Sequence, residues 1–530
     1  MTNKGSITVF LALILSLILS LVCTSIESVR MAAARTQILI GLDIGLYSLF
    51  GQYDRELLED YDLFFLNASG DSGNLNLGAV YDELESYMKP VLNQNSQKLS
   101  VVQGGFTGYR LATDEDGEVF YRQAVNYVRD TLGSRGVEMI LDGFQEKQEQ
   151  VGRAEEAGKQ AEEKNTLENY DTEMEAAAKN SEEAARQEEE AARGNGEEGN
   201  FSSGEQTSGE SFSDGQTDTQ VVNPIPVLKR IRKMGLLDLI VPAQKGISDN
   251  QVEKGELLSE RSIQKGMSMP GTIKKDTSYS SRLLFQQYLS DKLGNYMEPA
   301  AGGLQYQMEY LLCGKNSDRE NFKSVAGRLL LIREGVNAAC LLADSGKRAQ
   351  IQSLALAIAS GFLIPPAAVI IEAALLLCWS FAESILDLRE LMHGGKVPLI
   401  KNPSDWQISL ENLPNLLEGL DTQRKSSEDG ISYEDYLQIL LLSQSKKEKL
   451  ERGMDMVELS VRKTTGRQGF RLDHCIEAAE MSGSLHRGGG DICRCKGQRT
   501  QNIYGNKTVR IHIKKKRGAE RCFFREQNIK

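Results

Sequence analysis

The run from Ile7 to Ile26, "ITVFLALILSLILSLVCTSI", carries no charge and is almost wholly apolar. Twenty residues in a helix reach about 30 Å, the thickness of a bilayer's hydrocarbon core. A secretion signal has a shorter apolar core, about 7 to 15 residues, with a small-x-small cleavage site directly after it. Here helical character continues through "ESVRMAAARTQILIGL", and Ala32 to Ala34 lie well past the apolar run. Cys23 does not fit a lipid-bearing cysteine, because Ser20-Leu21-Val22 puts no small residue next to it. The segment reads as a permanent anchor.

A prepilin-type leader is cut after a glycine and carries a glutamate five residues on. Gly5 followed by Ser6 offers such a cut, but the fifth residue after Gly5 is Phe10. Gly5 and Ser6 therefore stand as a candidate prepilin-type processing site that lacks the expected glutamate, and Met31 to Ala34 as a signal-peptidase site set far from the apolar run. The amino terminus and Lys4 precede the span, while Glu27, Arg30 and Arg35 follow it, so the positive-inside bias is weak. The short leading flank favours an exported body. The expected place is the cell membrane, single-pass, with most of the chain outside the cytoplasm.

The net charge of -12 is uneven. Residues 481–530 hold 13 Lys and Arg against 3 Asp and Glu, a local +10, which leaves -22 on residues 1–480. So acidic a body argues against a nucleic-acid partner, since phosphate binding needs clustered Lys and Arg. Ile38, Leu42, Ile44, Leu46 and Leu49 predict a one-sided helix continuing the anchor, and Tyr81 to Leu92 a second short helix. "GFTGYRLATDEDGEVFYRQ" alternates around Asp116-Gly117, which predicts a hairpin, with a helix near Ala124 to Leu132 after it. Residues 144–222 are rich in Ala, Glu, Gly and Ser without a regular apolar face, which predicts an isolated helix or solvated spacer.

Residues 223–480 predict a largely helical body. Ser317 to Glu320 and Ser432 to Asp435 read as helix starts, the first as a capping box. The strongest apolar feature lies within 350–388, where Pro365-Pro366 breaks the pattern and Glu372 would be costly at bilayer depth. A buried helical hairpin is the leading reading there, and a second membrane span the alternative. The fold class is α+β: an N-terminal transmembrane helix (1–30), a stalk with a small antiparallel β element (31–143), an acidic linker (144–222), a helical body (223–480) and a basic tail (481–530).

Chemistry is sparse. Eight cysteines form no CxxC, and none has a histidine at zinc-ligand spacing, so no metal site is expected. Cys23, Cys313, Cys340 and Cys378 sit in apolar helical context and read as small buried hydrophobes. His393 precedes Gly394-Gly395 and reads as a helix-end cap, and the histidines at 474, 486 and 512 are scattered. His474 and Cys475 are adjacent in an expected strand, on opposite faces, which is wrong for a nucleophile and its base. No phosphate-binding loop and no cofactor motif is present. Glu372 and Glu383 lie on an apolar helix, where acid–base work competes with bonding to backbone or arginine in a packed core, the preferred reading. No catalytic, cofactor or metal residue is expected, and the chain reads as a non-enzyme.

"GSITVFLALILSLILSLVCTSIESVRMAAARTQ", "YDRELLEDYDLFFLN", "NPIPVLKRIRKMGLLDLIVP", "LQYQMEYLLCGKNSDRENF", "WSFAESILDLRELMHGGKVPLIK" and "RGMDMVELSVRK" together resemble an uncharacterised Clostridia-type family of single-span membrane proteins described as TadE/TadG-like. The resemblance implies a membrane protein associated with tight-adherence (Tad) pilus genes and no established activity. A DxSxS metal loop of the TadG kind is missing, so that feature is not carried over. The implied function is a minor component or assembly factor of a Tad-like pilus or surface apparatus. Its expected partners are the lipid bilayer and other Tad-like pilus or membrane proteins. The alternatives are a membrane-bound envelope enzyme with an unrecognised site and a secreted soluble protein. From Met481 the resemblance ends and the composition changes, which is the expectation for a frameshifted, functionless tail; resequencing the end of the gene tests it.

Overall fold

The computed structural model describes residues 4–70, 72–94, 99–133, 136–139, 143, 166–194, 222–253, 255–267, 269, 273–487, 491–499 and 509–515, and from Met481 onward the backbone alone. One helix, α1 (Lys4–Phe50), runs unbroken for 47 residues. Its first half is exposed all round from Ile7 to Ile26 and is long and apolar enough to cross a membrane. From Met31 the helix becomes one-sided. Met31, Ala34, Ile38, Leu42, Leu46 and Leu49 recur every three or four residues and are buried. Ile44 was expected on that face but is exposed, because six residues at 100° carry it well away from Ile38.

The covered face packs on α3 (Leu77–Leu92), through Val80, Leu84, Met88 and Leu92. The helices approach closely at Gly45, where a Cβ would lie 2.6 Å from Met88 Cγ. Gln37 Nε2 donates to the carbonyls of Val91 and Leu92 at 2.9 and 3.1 Å, which satisfies groups left open at the end of α3. The strand β2 (Leu99–Leu111) follows and closes this stalk core with Leu99, Tyr109 and Leu111.

No hairpin forms at Asp116-Gly117. Glu115, Asp116 and Gly117 all take positive φ (56, 57 and 81°) and lead directly into α4 (118–133). The buried Phe120, Ala124 and Val128 carry the helical spacing that prevails over the alternation. The true partner of β2 is β3 (Cys475–Arg487), antiparallel from Leu111↔Ile476 to Leu99↔Arg487. On the other side of β3 lie β1 (Leu66–Asn67) and β4 (Asp491–Arg499), with β5 (Val509–Lys515) beyond β4. β3 passes Met481 without a break, so the change in composition there does not coincide with the end of a strand.

A second core holds residues from 57 to 128 together with those from 225 to 475. Its centre is α10 (Asp318–Ala343), α11 (Ser345–Gly361) and α12 (Ala368–Met392), packed on one another. The last two are the helical hairpin expected around Pro365-Pro366. The helical stretch Pro365–Met392 is also apolar enough to span a membrane, but 67% of its most apolar window is buried inside the protein. Ser317 is the N-cap of α10 but makes no side-chain cap. Asp318 is drawn elsewhere: it accepts from the amides of Gln305 and Tyr306 and from the Ser248 hydroxyl. The capping box does form at Ser432 and Asp435, which start α14 (Tyr433–Leu442).

Residues 144–165 and 195–221 of the acidic segment lie outside the described residues. Between them α5 (Thr166–Gly194) is not an isolated helix. Tyr170 is buried, and Met174 and Ala177 pack on the body core. This sparse apolar face, with the Lys229–Asp171 ion pair at 2.5 Å, docks it on the body beside α12.

Candidate functional site: a buried charge cluster behind a polar cavity

Four charged side chains meet at the centre of the body. Arg333 comes from α10, Glu383 and Asp387 from α12, and Lys401 from the segment after α12; all are buried. Glu383 and Asp387 are four residues apart and so lie on one face of α12. Arg333 Nε and Nη2 donate to Asp387 Oδ2 at 3.0 and 2.8 Å. Its Nη1 donates to the carbonyls of Pro398 and Leu399 and to the Tyr436 hydroxyl. Lys401 Nζ bridges Glu383 Oε1 and Asp387 Oδ1, the latter at 2.5 Å.

Neutral groups complete the shell. Asn337 Nδ2 donates to Asp387 Oδ2 and Gln407 Nε2 to Asp387 Oδ1, at 3.0 and 2.8 Å. Glu383 accepts the backbone N–H of Gln407 and Ile408. Two cations and two carboxylates balance, so the cluster buries no net charge. Burial pushes the Asp387 carboxyl up, and Arg333 with Lys401 more than offset that and hold it below its usual range. Glu383 has only the lysine, and burial prevails to raise its carboxyl.

The chain's two tryptophans stand beside the cluster. The Trp379 and Trp406 rings meet edge-on with centroids 5.6 Å apart, and Lys347 Nζ sits 4.1 Å from the Trp406 ring centroid. A cavity of about 220 Å³ opens against Asp387 and Lys401, walled further by Asp405, Gln407, Lys425 and Ser427. The carboxylates do not offer it chemistry. Each oxygen of Glu383 and Asp387 already accepts two or more hydrogen bonds, which leaves neither as a ready proton acceptor. What the arrangement does is fasten the 396–408 segment to the α10–α12 pair.

A second cluster ties α15 (Lys446–Thr465) in the same way. Glu458 pairs with Arg261 and Arg462, and Arg261 reaches on to Asp473 at 2.5 Å. Asp455 accepts from the Ser259 amide and hydroxyl and from Tyr310. A third group, Glu309 on α9 (Gln307–Cys313), is fully buried and accepts from the Tyr296 amide and the Tyr433 hydroxyl. Its Oε2 has no hydrogen-bond partner among the described residues, and burial pushes its carboxyl up to about 7.

The residues singled out by sequence fall apart in space. Gly5 and Ser6 lie in the first turns of α1. Glu372 accepts from Gln352 Nε2 at 3.1 Å, eleven residues and roughly 16 Å along α12 from Glu383. Glu383 is bonded to backbone and lysine, close to the packed-core reading. His393 caps the end of α12, with its Nδ1 2.7 Å from the Arg389 carbonyl. His474 closes a 3-10 turn, not a strand, and Cys475 Sγ donates to the Arg471 carbonyl, which separates the two. Burial holds the Cys475 thiol well above its ordinary pKa. Cys378 is buried and Cys313 and Cys340 half-buried as expected, but Cys23 is exposed on the uncovered part of α1. Among the described residues no group of His, Cys, Asp and Glu could hold a metal. His486, His512 and the tail cysteines lie outside the described side chains.

Sequence reasoning missed Arg333, Asp387 and Lys401. The available signal was Glu383 and Asp387 four apart on a helix apolar on all sides, which demands buried cations. Arg333 sits directly after "LLLI", the nearest candidate.

No curated protein and no solved structure matches the chain. The model of a family described as a family of unknown function, DUF5702, matches residues 214–486. That segment contains the whole charge cluster and ends within β3. It spans slightly more than half of the 530 residues, and the chain belongs to the DUF5702 family.

Proposed function

We propose that the chain is a non-enzymatic, membrane-anchored protein whose body lies outside the cytoplasm and serves a Tad-like pilus or surface apparatus as a minor component or assembly factor. The observation that carries this reading is the single helix α1, exposed and apolar over its first half and packed as a stalk over its second. A continuous helix transmits position from a bilayer to a folded body without a flexible joint. Its exposed half is free for lateral association with other membrane helices. The internal bonding of Glu383 and Asp387 supports the non-enzymatic part.

The enzyme alternative rests on the cavity beside Asp387. It predicts that Asp387→Asn abolishes an activity, whereas a fastening role predicts lost stability. The pilus reading is tested by deleting the gene in a host that carries Tad-like pilus genes. Reduced piliation, restored by the full chain, is the expected result; unchanged piliation contradicts it. Mass spectrometry of the mature amino terminus separates the processing routes: a start at Met1 fits the anchor, at Ser6 a prepilin-type subunit, and near residue 35 a secreted protein.

A further inference from the structure

The tip of the α11–α12 hairpin displays apolar side chains to solvent. Leu356, Phe362, Leu363 and Val369 are 57, 52, 84 and 74% exposed. No charged residue lies between Arg348 and Glu372. Leu363 has φ 58°, the one apolar residue in the left-handed region among the described residues. Its amide and that of Ile364 close α11 on the carbonyls of Ser360 and Ala359, both at 3.0 Å. That helix-ending position is ordinarily glycine's, because a Cβ is strained there. A leucine in this place strains the backbone while holding its side chain in water, and the fold gains nothing from either.

Beside the tip runs α5. Tyr170 lies near Cys378, and the helix then packs along α12 as far as the 365–367 turn. Its inward face holds Tyr170, Met174, Ala177 and Ser181. The helix goes on through residues 182–194, roughly 20 Å of its length. Glu182 and Glu183 at the start of this stretch are exposed. The apolar tip and the helix that carries Glu182 and Glu183 thus lie on neighbouring elements. A bilayer suits the first and not the second, since carboxylates carried to headgroup depth are costly. A protein groove that is apolar inside and edged by Lys and Arg suits both.

We propose that the hairpin tip and the acidic end of α5 form one docking surface for a protein partner with an apolar groove edged by basic residues. Leu363 enters the groove, and Glu182 and Glu183 face its rim. The strain at Leu363 is retained for that contact.

The test uses the full chain in its own membrane, with a photo-crosslinking residue at Leu356 and adducts mapped by mass spectrometry. The expected adduct is a single protein, joined within an apolar segment flanked by Lys or Arg. Its yield should fall at least tenfold in L363G and in the double variant E182K/E183K. L363G should also raise the melting temperature, because glycine relieves the strained position, whereas a purely structural leucine would lower it. An adduct to lipid, an adduct to a second copy of this chain, no adduct, a lowered melting temperature in L363G, or a yield indifferent to E182K/E183K would each overturn the proposal.

Discussion

Arg333 and Asp387 face each other with both side chains wholly buried, and two guanidinium nitrogens converge on one carboxylate oxygen. The pair joins α10 to α12 at the level where Lys401 brings in the following segment. Removing Arg333 leaves two buried carboxylates on the single cation Lys401, a net buried charge. Arg333→Met should therefore destabilise the protein by about 3 to 5 kcal/mol. Replacing Arg333 and Asp387 together should cost less than the sum of the two single changes. Denaturant unfolding of the four variants of a double-mutant cycle checks this; additive losses would mean that the pair is not coupled.

Glu309 makes stability depend on pH. Its carboxyl titrates near 4.5 when unfolded and at about 7 in the fold, because burial disfavours the charged form. Asp318 adds a like charge, and the Tyr433 hydroxyl and Tyr296 amide partly oppose the shift. The folded state thus binds the extra proton between those values. Its contribution is present in full below pH 4.5 and is lost as pH rises through 7, a change of about 3 kcal/mol. Glu309→Gln should flatten the unfolding free energy across that window. An unchanged slope would place the titration elsewhere.

Lys449 acts in the opposite sense at higher pH. It is buried, with Gln286 Oε1 at 3.1 Å, and burial lowers its pKa from 10.5 to about 8. The unfolded chain binds more protons between pH 8 and 10.5, so stability should rise with pH over that interval. Lys449→Met should stabilise the protein at pH 7 by about 1 to 3 kcal/mol and remove the rise. Thermal melts at pH 7 and 10 check both.

The stalk depends on the close approach at Gly45. A leucine there meets Met88 Cγ and Leu84 Cδ1, both well inside normal contact of even a Cβ. Gly45→Leu should weaken the α1–α3 contact by about 1 to 3 kcal/mol. Faster hydrogen exchange in α3, with the body core unaffected, is the expected signature.

How far sequence reasoning reached depends on whether a signal was local. The run Ile7–Ile26, the stalk face through Ile38, Leu42, Leu46 and Leu49, the helix start at Ser432 and the break at Pro365-Pro366 are set by neighbours in the chain, and each was legible, whereas the capping box read at Ser317 does not form. The pairing of β2 with β3 joins residues more than 360 positions apart, and Asp116-Gly117 advertised a nearer partner that does not exist. The docking of α5 hangs on Tyr170, Met174 and Ala177, three small signals in a sequence dominated by charge. Arg333, Asp387 and Lys401 each look like ordinary charged residues until the fold closes around them.

The proposed arrangement is an anchored chain with its body outside the cytoplasm. A glutamyl endoprotease added to intact cells tests it most directly, through peptides from residues 144–220, which are rich in glutamate. Cleavage there in unbroken cells is expected, with the amino-terminal fragment that contains α1 remaining in the membrane fraction. Protection until the cells are lysed would place the body in the cytoplasm and contradict it.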